Sequence, residues 1–309
     1  MKKKFIFFCL LAFAGYILIF PGESVDAASR GLVLWYQRIL PTLLPFAVLS
    51  SVLIHSGYLQ YINRFFAPGL KKLFHVSDNG AFILLSGFLF GFPMGSKNCA
   101  ELLKCGGIEK KEADILFVVT NNISPVFISS YILCQQLHMP TLAPISYGIL
   151  FLPPLLTGGF LLRRDRATSD SHMKKMPASG SQMNFKIIDA GIMNGFETLT
   201  RLGGYIMLFS MIASMLQALP TSRMVRLIAI GLTELTNGIQ LLDGAPASDG
   251  GRYILAMGFT AFGGLSGIAQ TSSMIKDTGL SLKKYCLQKV LFALCSALLA
   301  WAVTLWIQI

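Results

Sequence analysis

One polar, glycine-broken motif occurs twice inside otherwise apolar sequence. The first copy reads Phe90-Gly91-Phe92-Pro93-Met94-Gly95-Ser96-Lys97 and the second Phe262-Gly263-Gly264-Leu265-Ser266-Gly267-Ile268-Ala269. They align without a gap, and the same offset superposes Lys104 on Lys276 and Lys111 on Lys283. Glycine and proline in these positions interrupt a helix. Interrupted backbone in hydrocarbon leaves N–H and C=O groups unpaired, so it persists only where protein or a water-filled cavity surrounds it. A break of this kind at matching positions of two halves is the sequence mark of a transporter-type binding site.

Composition supplies the hydrocarbon. Hydrophobic residues make up 53% of the 309 and charged ones only 13%, with a mean hydropathy of +0.60. A soluble domain carries about a quarter charged residues, and several runs here approach the ~20 residues that cross a bilayer. The fold expected is therefore an all-α, polytopic helical membrane protein made of two structural repeats with broken or re-entrant helices. Inverted repeats are expected, because opposed half-helix pairs meeting at the midplane give alternating access most simply.

The net charge of +11 comes from basic residues in loops beside apolar runs. That is the positive-inside pattern rather than a groove-binding face, so no nucleic-acid partner is expected. The six cysteines form no CxxC pair and the four histidines no HExxH, which gives no metal or disulfide framework. Gly95-Ser96-Lys97 lacks the longer glycine loop of a Walker motif, and Gly264-Leu265-Ser266-Gly267 is one residue short of a nucleophile elbow. Neither an enzyme nor a cofactor is expected.

Lys2, Lys3 and Lys4 ahead of the apolar run Phe5 to Phe20 place the N-terminus in the cytoplasm. Residues 1–28 form an N-terminal transmembrane anchor, or a signal-like segment with small residues around Ala27. Residues 29–162 hold the first repeat, 163–186 a basic cytoplasmic linker and 187–309 the second repeat. Pro41 and Pro45 split the run from Arg30 to Gly57 into an interfacial helix through Leu40 and a shorter element from Leu43 to His55. Tyr58 to Phe74 suits an amphipathic helix near the headgroups.

Three polar patches then stand out at membrane depth. Gly95-Ser96-Lys97 and Gly267 through Gln270 and Thr271 open the second half-helices, whose N–H groups and positive dipole ends suit an anion. Lys97 adds a full charge to the first. The bland alternative makes these glycines close-packing residues and lets Lys97 snorkel. Glu234, in Thr233-Glu234-Leu235-Thr236-Asn237-Gly238, is an ionisable group in an apolar run and so functional or paired. It can bind a proton, accept from a substrate, or pair with Lys97 or Arg201. Local unwinding is expected at Asn237-Gly238. Asn121, Asn122 and Ser124 before Pro125 offer amides and carbonyls to a cation or to a planar ligand's edge, or merely line a proline kink.

Taken together, Gly91-Phe92-Pro93-Met94-Gly95-Ser96-Lys97, Asn121 to Phe127, Gly231 to Gly238 and Phe262-Gly263-Gly264-Leu265-Ser266 with Ala269-Gln270 resemble the gate (nucleoside-recognition) domain superfamily. So do Pro41-Thr42-Leu43-Leu44-Pro45-Phe46 and Trp35. The resemblance is to the YlbJ-type sporulation integral membrane proteins. It implies a transporter fold related to concentrative nucleoside carriers, in a multi-pass cell membrane or forespore-associated setting. It also implies dipicolinate, a small planar dianion, as cargo. Expected partners are this small organic anion and the lipid bilayer. Nucleosides are the alternative cargo. A second reading makes the chain a non-transporting scaffold, assembled as a homo-oligomer or with other sporulation membrane proteins.

Overall fold

The computed structural model describes residues 2–166 and 184–307; most of the basic linker lies outside the described residues. Among these every element is helical. The first half holds α1 (Lys2–Ile19), α2 (Pro21–Leu34), α3 (Leu40–Ser56), α4 (Leu59–Phe74), α5 (Asp78–Phe90), α6 (Met94–Lys104), α7 (Lys110–Val119) and α8 (Ala143–Arg166). The second holds α9 (Phe185–Gln217), α10 (Arg223–Thr233), α11 (Leu235–Gln240), α12 (Asp249–Phe262), α13 (Gly264–Met274) and α14 (Leu282–Ile307). Among the described residues five stretches are long and apolar enough to cross a bilayer: Pro21–Ser56, Pro140–Arg164, Phe185–Gln217, Asp249–Met274 and Leu282–Ile307. The amphipathic α4 meets α5 at a bend of 92°.

The offset that superposes the two motifs also governs helix boundaries. It lays α5 over α12 and α6 over α13, and it sets the start of α7 on the start of α14. The partner of the single helix α14 is α7 plus a π-helical segment, Phe127–Gln136, separated by the polar break at residues 120–124.

The expected split at Pro41 is corrected. α2 and α3 run as one 36-residue helical stretch through a π-helical segment, Trp35–Ile39. Leu40 N–H bonds back to the Trp35 carbonyl, so the chain widens by one residue just before the proline whose ring would collide with a normal turn. The Thr42 hydroxyl donates to the Arg38 and Ile39 carbonyls, at 2.7 and 3.1 Å, and satisfies acceptors in the widened turn. Continuity is further enforced from outside. α9 packs antiparallel along the whole stretch, with Gly191 against Val52, Gly195 against Val48 and Gly203 against the Trp35 ring. A Cβ at any of the three would lie within 3.0 Å of the opposing side chain, which is the small-residue approach that membrane helices use. Trp35 Nε1 donates to the Leu199 carbonyl at 2.7 Å.

The lipid face is legible on α14. Leu287, Leu291, Leu294, Leu298, Trp301 and Leu305 are exposed at alternating steps of four and three, whereas Tyr285, Lys289, Phe292, Ser296, Ala300 and Thr304 are buried. Exposed apolar stripes of this width have lipid, not water, as their solvent.

Candidate functional site

Four interruptions meet in the interior. At the first, Gly91 has a φ of +76° and the Phe92–Pro93 peptide is cis. A Cβ on Gly91 would fall 2.5 Å from the Ser124 nitrogen, so only glycine allows the first break to touch the second. Phe92 N–H donates to the Asn122 carbonyl at 2.6 Å, pairing two groups that would otherwise be stranded in hydrocarbon. Asn122 Nδ2 in turn donates to the Val119 carbonyl at 2.7 Å, closing the last turn of α7. The third break falls at Glu234 itself, which is extended (φ −144°, ψ 119°) and both ends α10 and caps α11. It lies three residues before the expected unwinding at Asn237-Gly238, because the Glu234 carboxylate accepts from Asn237 N–H at 2.8 Å and restarts the helix there. The fourth is Gly263-Gly264, both at positive φ. A Cβ on Gly264 would press within 3.2 Å of the Thr233 carbonyl and the Leu235 nitrogen.

All four breaks line a cavity of about 270 Å³. Its walls are largely apolar and aromatic, with Phe90, Phe92, Phe127 and Tyr131 among them. Its polar groups include Ser124, Glu234, Thr236, Ser266 and Gln270, and Arg38 contributes a cation from an exposed position. Glu234 is only 4% exposed. Its Oε2 takes three donors: Thr236 Oγ1 at 2.5 Å, Asn237 Nδ2 at 2.7 Å and Asn237 N–H. Neither Lys97 nor Arg201 is its counterion, correcting that expectation. Gln270 Nε2 donates to Ser266 at 2.8 Å, while its Oε1 is buried with no protein partner.

A second cavity, of about 350 Å³, lies further along α9 and α13. Leu202 and Ile206 of α9 line the first, whereas Asn194, Glu197, Thr198 and Arg201 line the second. On α13 Gly267 and Gln270 give way to Ser273 and Met274. Lys97 belongs to this second cavity, so it adds no charge to the central one. Its ammonium pairs with Glu101 one turn on, at 2.9 Å. Glu101 is held as well by Ser51 at 2.9 Å and by Asn194 at 3.1 Å, with His55 at 3.3 Å. Arg201 pairs with Glu197. Lys104, Lys276 and Asp277 complete the charged lining.

Ser96, Asn121, Thr271 and Tyr285 form a buried hydrogen-bonded layer. Asn121 is its centre: Oδ1 accepts from Ser96 at 3.1 Å, while Nδ2 donates to Thr271 at 2.8 Å and to the Tyr285 hydroxyl at 2.9 Å. Gly95 sits directly on the second break, where a Cβ would be 2.4 Å from the Thr120 carbonyl. The start of α6 is thus sealed in protein, which corrects the expectation that both half-helix N-termini face a ligand; only the start of α13 reaches the central cavity.

Of the residues singled out from the sequence, Ser124, Glu234, Thr236 and Gln270 line the central cavity. Gly95, Ser96, Asn121 and Thr271 build the layer, and Asn122 joins two breaks. Lys97 lines the second cavity, and Asn237 a third, of about 390 Å³ beside Arg30. The aromatic walls, Glu101, Tyr285 and Lys289 were not anticipated. Glu101 was readable as the residue one helical turn from Lys97, and Lys289 as an ionisable group in an apolar span.

A bundle of spanning helices whose four breaks share one cavity has the build of a solute-handling integral membrane protein. Residues 37–137 match the family model for the Gate domain, described as nucleoside recognition. Those residues run from the π segment before α3 through the second break. Over nearly its whole length the chain is similar to the sporulation integral membrane protein YlbJ of Bacillus subtilis (strain 168), at 24% identity across 92% of this chain and 79% of that protein. No solved structure matches.

Proposed function

We propose that this protein is a carrier, not an enzyme, that moves a small planar organic solute through a sporulation-associated membrane. The observation that carries the reading is the convergence of four helix breaks on one aromatic cavity. Such backbone persists at membrane depth only where protein or a water-filled cavity surrounds it, and broken helices at midplane are where carriers bind cargo. The aromatic side chains suit the faces of a flat ring; Gln270 Oε1, Ser124 and Thr236 suit its polar edge.

Dipicolinate is the cargo we propose first. Lys97, Lys104, Arg201 and Lys276 in the second cavity outnumber Glu101, Glu197 and Asp277, which favours passage of an anion, and Arg38 stands on the central one. A nucleoside is the second reading. Glu234 supports it, because a carboxyl group accepts from a base or sugar donor and is a poor neighbour for a dianion.

Flux into proteoliposomes separates them, with terbium luminescence reporting dipicolinate and radiolabelled uridine reporting nucleoside. Saturable dipicolinate flux that Glu234→Gln preserves or raises is expected. Uridine flux abolished by Glu234→Gln would replace dipicolinate with the second reading. No flux of either, from correctly inserted protein, would overturn the carrier in favour of a scaffold.

A further inference from the structure

Lys289 is the buried ionisable group that the cargo reading leaves unused. It lies on the inward face of α14 and is 2% exposed, so it does not snorkel to an interface. Its ammonium lies 3.3 Å from Asn122 Oδ1 and 3.3 Å from the Ala261 carbonyl oxygen, and 5.8 Å from the centroid of the Tyr285 ring. Among the described residues it forms no ion pair with a carboxylate.

The two oxygens come from two helix ends, one a backbone carbonyl and the other a side-chain amide. Ala261 is in the last turn of α12, where carbonyls have no partner within the helix. Asn122 follows the last turn of α7 and is fixed there by its bond to the Val119 carbonyl. Both helices end at breaks, and a helix C-terminus carries partial negative charge. Half-helix C-termini and unwound oxygens of this sort coordinate alkali cations in broken-helix carriers.

We propose that the Lys289 ammonium is a tethered cation filling an alkali-cation site built by the C-terminal ends of α7 and α12, which it ties together. One charge on a covalent arm then does structurally what a dissolved sodium ion would otherwise do. The wild-type protein accordingly needs no alkali cation to hold these breaks in place. Truncating the side chain uncovers both oxygens and leaves a space the size of the lost amine, into which a small cation can enter.

The inference is independent of what the carrier transports, so its test reads stability rather than flux. The purified full-length protein is melted in detergent in choline chloride, against sodium, potassium and methylammonium chloride at equal ionic strength. Wild type should melt at the same temperature in all four. Lys289→Ala should be raised by about 3 °C at a cation concentration tenfold above half-saturation, by methylammonium or an alkali ion but not by choline. Lys289→Met, whose side chain refills the space without charge, should show no such response. If Lys289→Ala does not fold, Lys289→Ser tests the same point. A sodium response in wild type equal to that of the truncated variant would overturn the proposal. So would a folded truncated variant that ignores every cation.

Discussion

The starts of α6 and α13 carry the same motif at the same offset and end in opposite surroundings. Gly95 and Ser96 are clamped against Thr120 and Asn121, in the buried hydrogen-bonded layer. Gly267 and Gln270 face the central cavity, where the nearest neighbour to a Cβ on Gly267 is Phe92 Cζ at 3.9 Å. One sequence device therefore serves two ends: a broken helix can be sealed by another break, or left open to hold something. The partner of α6 is a segment, residues 120–124, that is itself unwound and brings its own amides. The first turns of α13 border the Glu234 break, where a carboxylate has kept its own donors close and left space beside it.

The largest test of this contrast pairs two glycines. Gly95→Ala puts a methyl group 2.4 Å from the Thr120 carbonyl oxygen and should cost about 3 kcal/mol by overpacking, seen as a large fall in melting temperature or loss of folded protein. Gly267→Ala should melt as wild type and weaken cargo flux alone. Equal losses would erase the distinction. A smaller effect is expected within the hydrogen-bonded groups. Asn121→Ala leaves three buried partners short of a bond and should cost about 2 kcal/mol in thermal or denaturant unfolding. Gln270→Leu removes an oxygen that already lacks a protein partner and should change stability by less than about 1 kcal/mol while reducing flux. The smallest effect belongs to the rim. Arg201 and Glu197 are half exposed, and Arg201→Ala should shift stability by under about 1 kcal/mol, with its consequence confined to the salt dependence of anion entry.

The breaks at Gly91 and Gly263 were legible because glycine and proline announce lost helix directly, and the shared offset set their helices to within a residue or two. Pro41 carried the same announcement and misled. The π segment that absorbs it depends on Thr42 and on a partner helix arriving from far along the chain, neither visible locally. The break at Glu234 came earlier than expected because an extended glutamate capping its own following turn has no glycine or proline to mark it. Which way Lys97 points is a matter of helix rotation: one residue away, Ser96 faces Asn121, and the difference in direction sends Lys97 into the other cavity. Its partner Glu101 was there to be found. The aromatic walls draw on α5, the π segment after the second break and its flanks, an assembly that no single stretch of sequence displays.

The seam between α9 and the stretch from Pro21 to Ser56 has a mechanical consequence. At 1.5 Å per residue the 36-residue stretch measures about 54 Å, against a hydrocarbon core of about 30 Å. A rod that long either leans steeply or stands out of the bilayer, and here two such rods are keyed together by glycines set into opposing side chains. Sliding either rod along the other would unseat those side chains, so the pair is built as one beam. The same beam supplies one wall of the central cavity, through Ile39, Thr42, Leu43, Leu202 and Ile206.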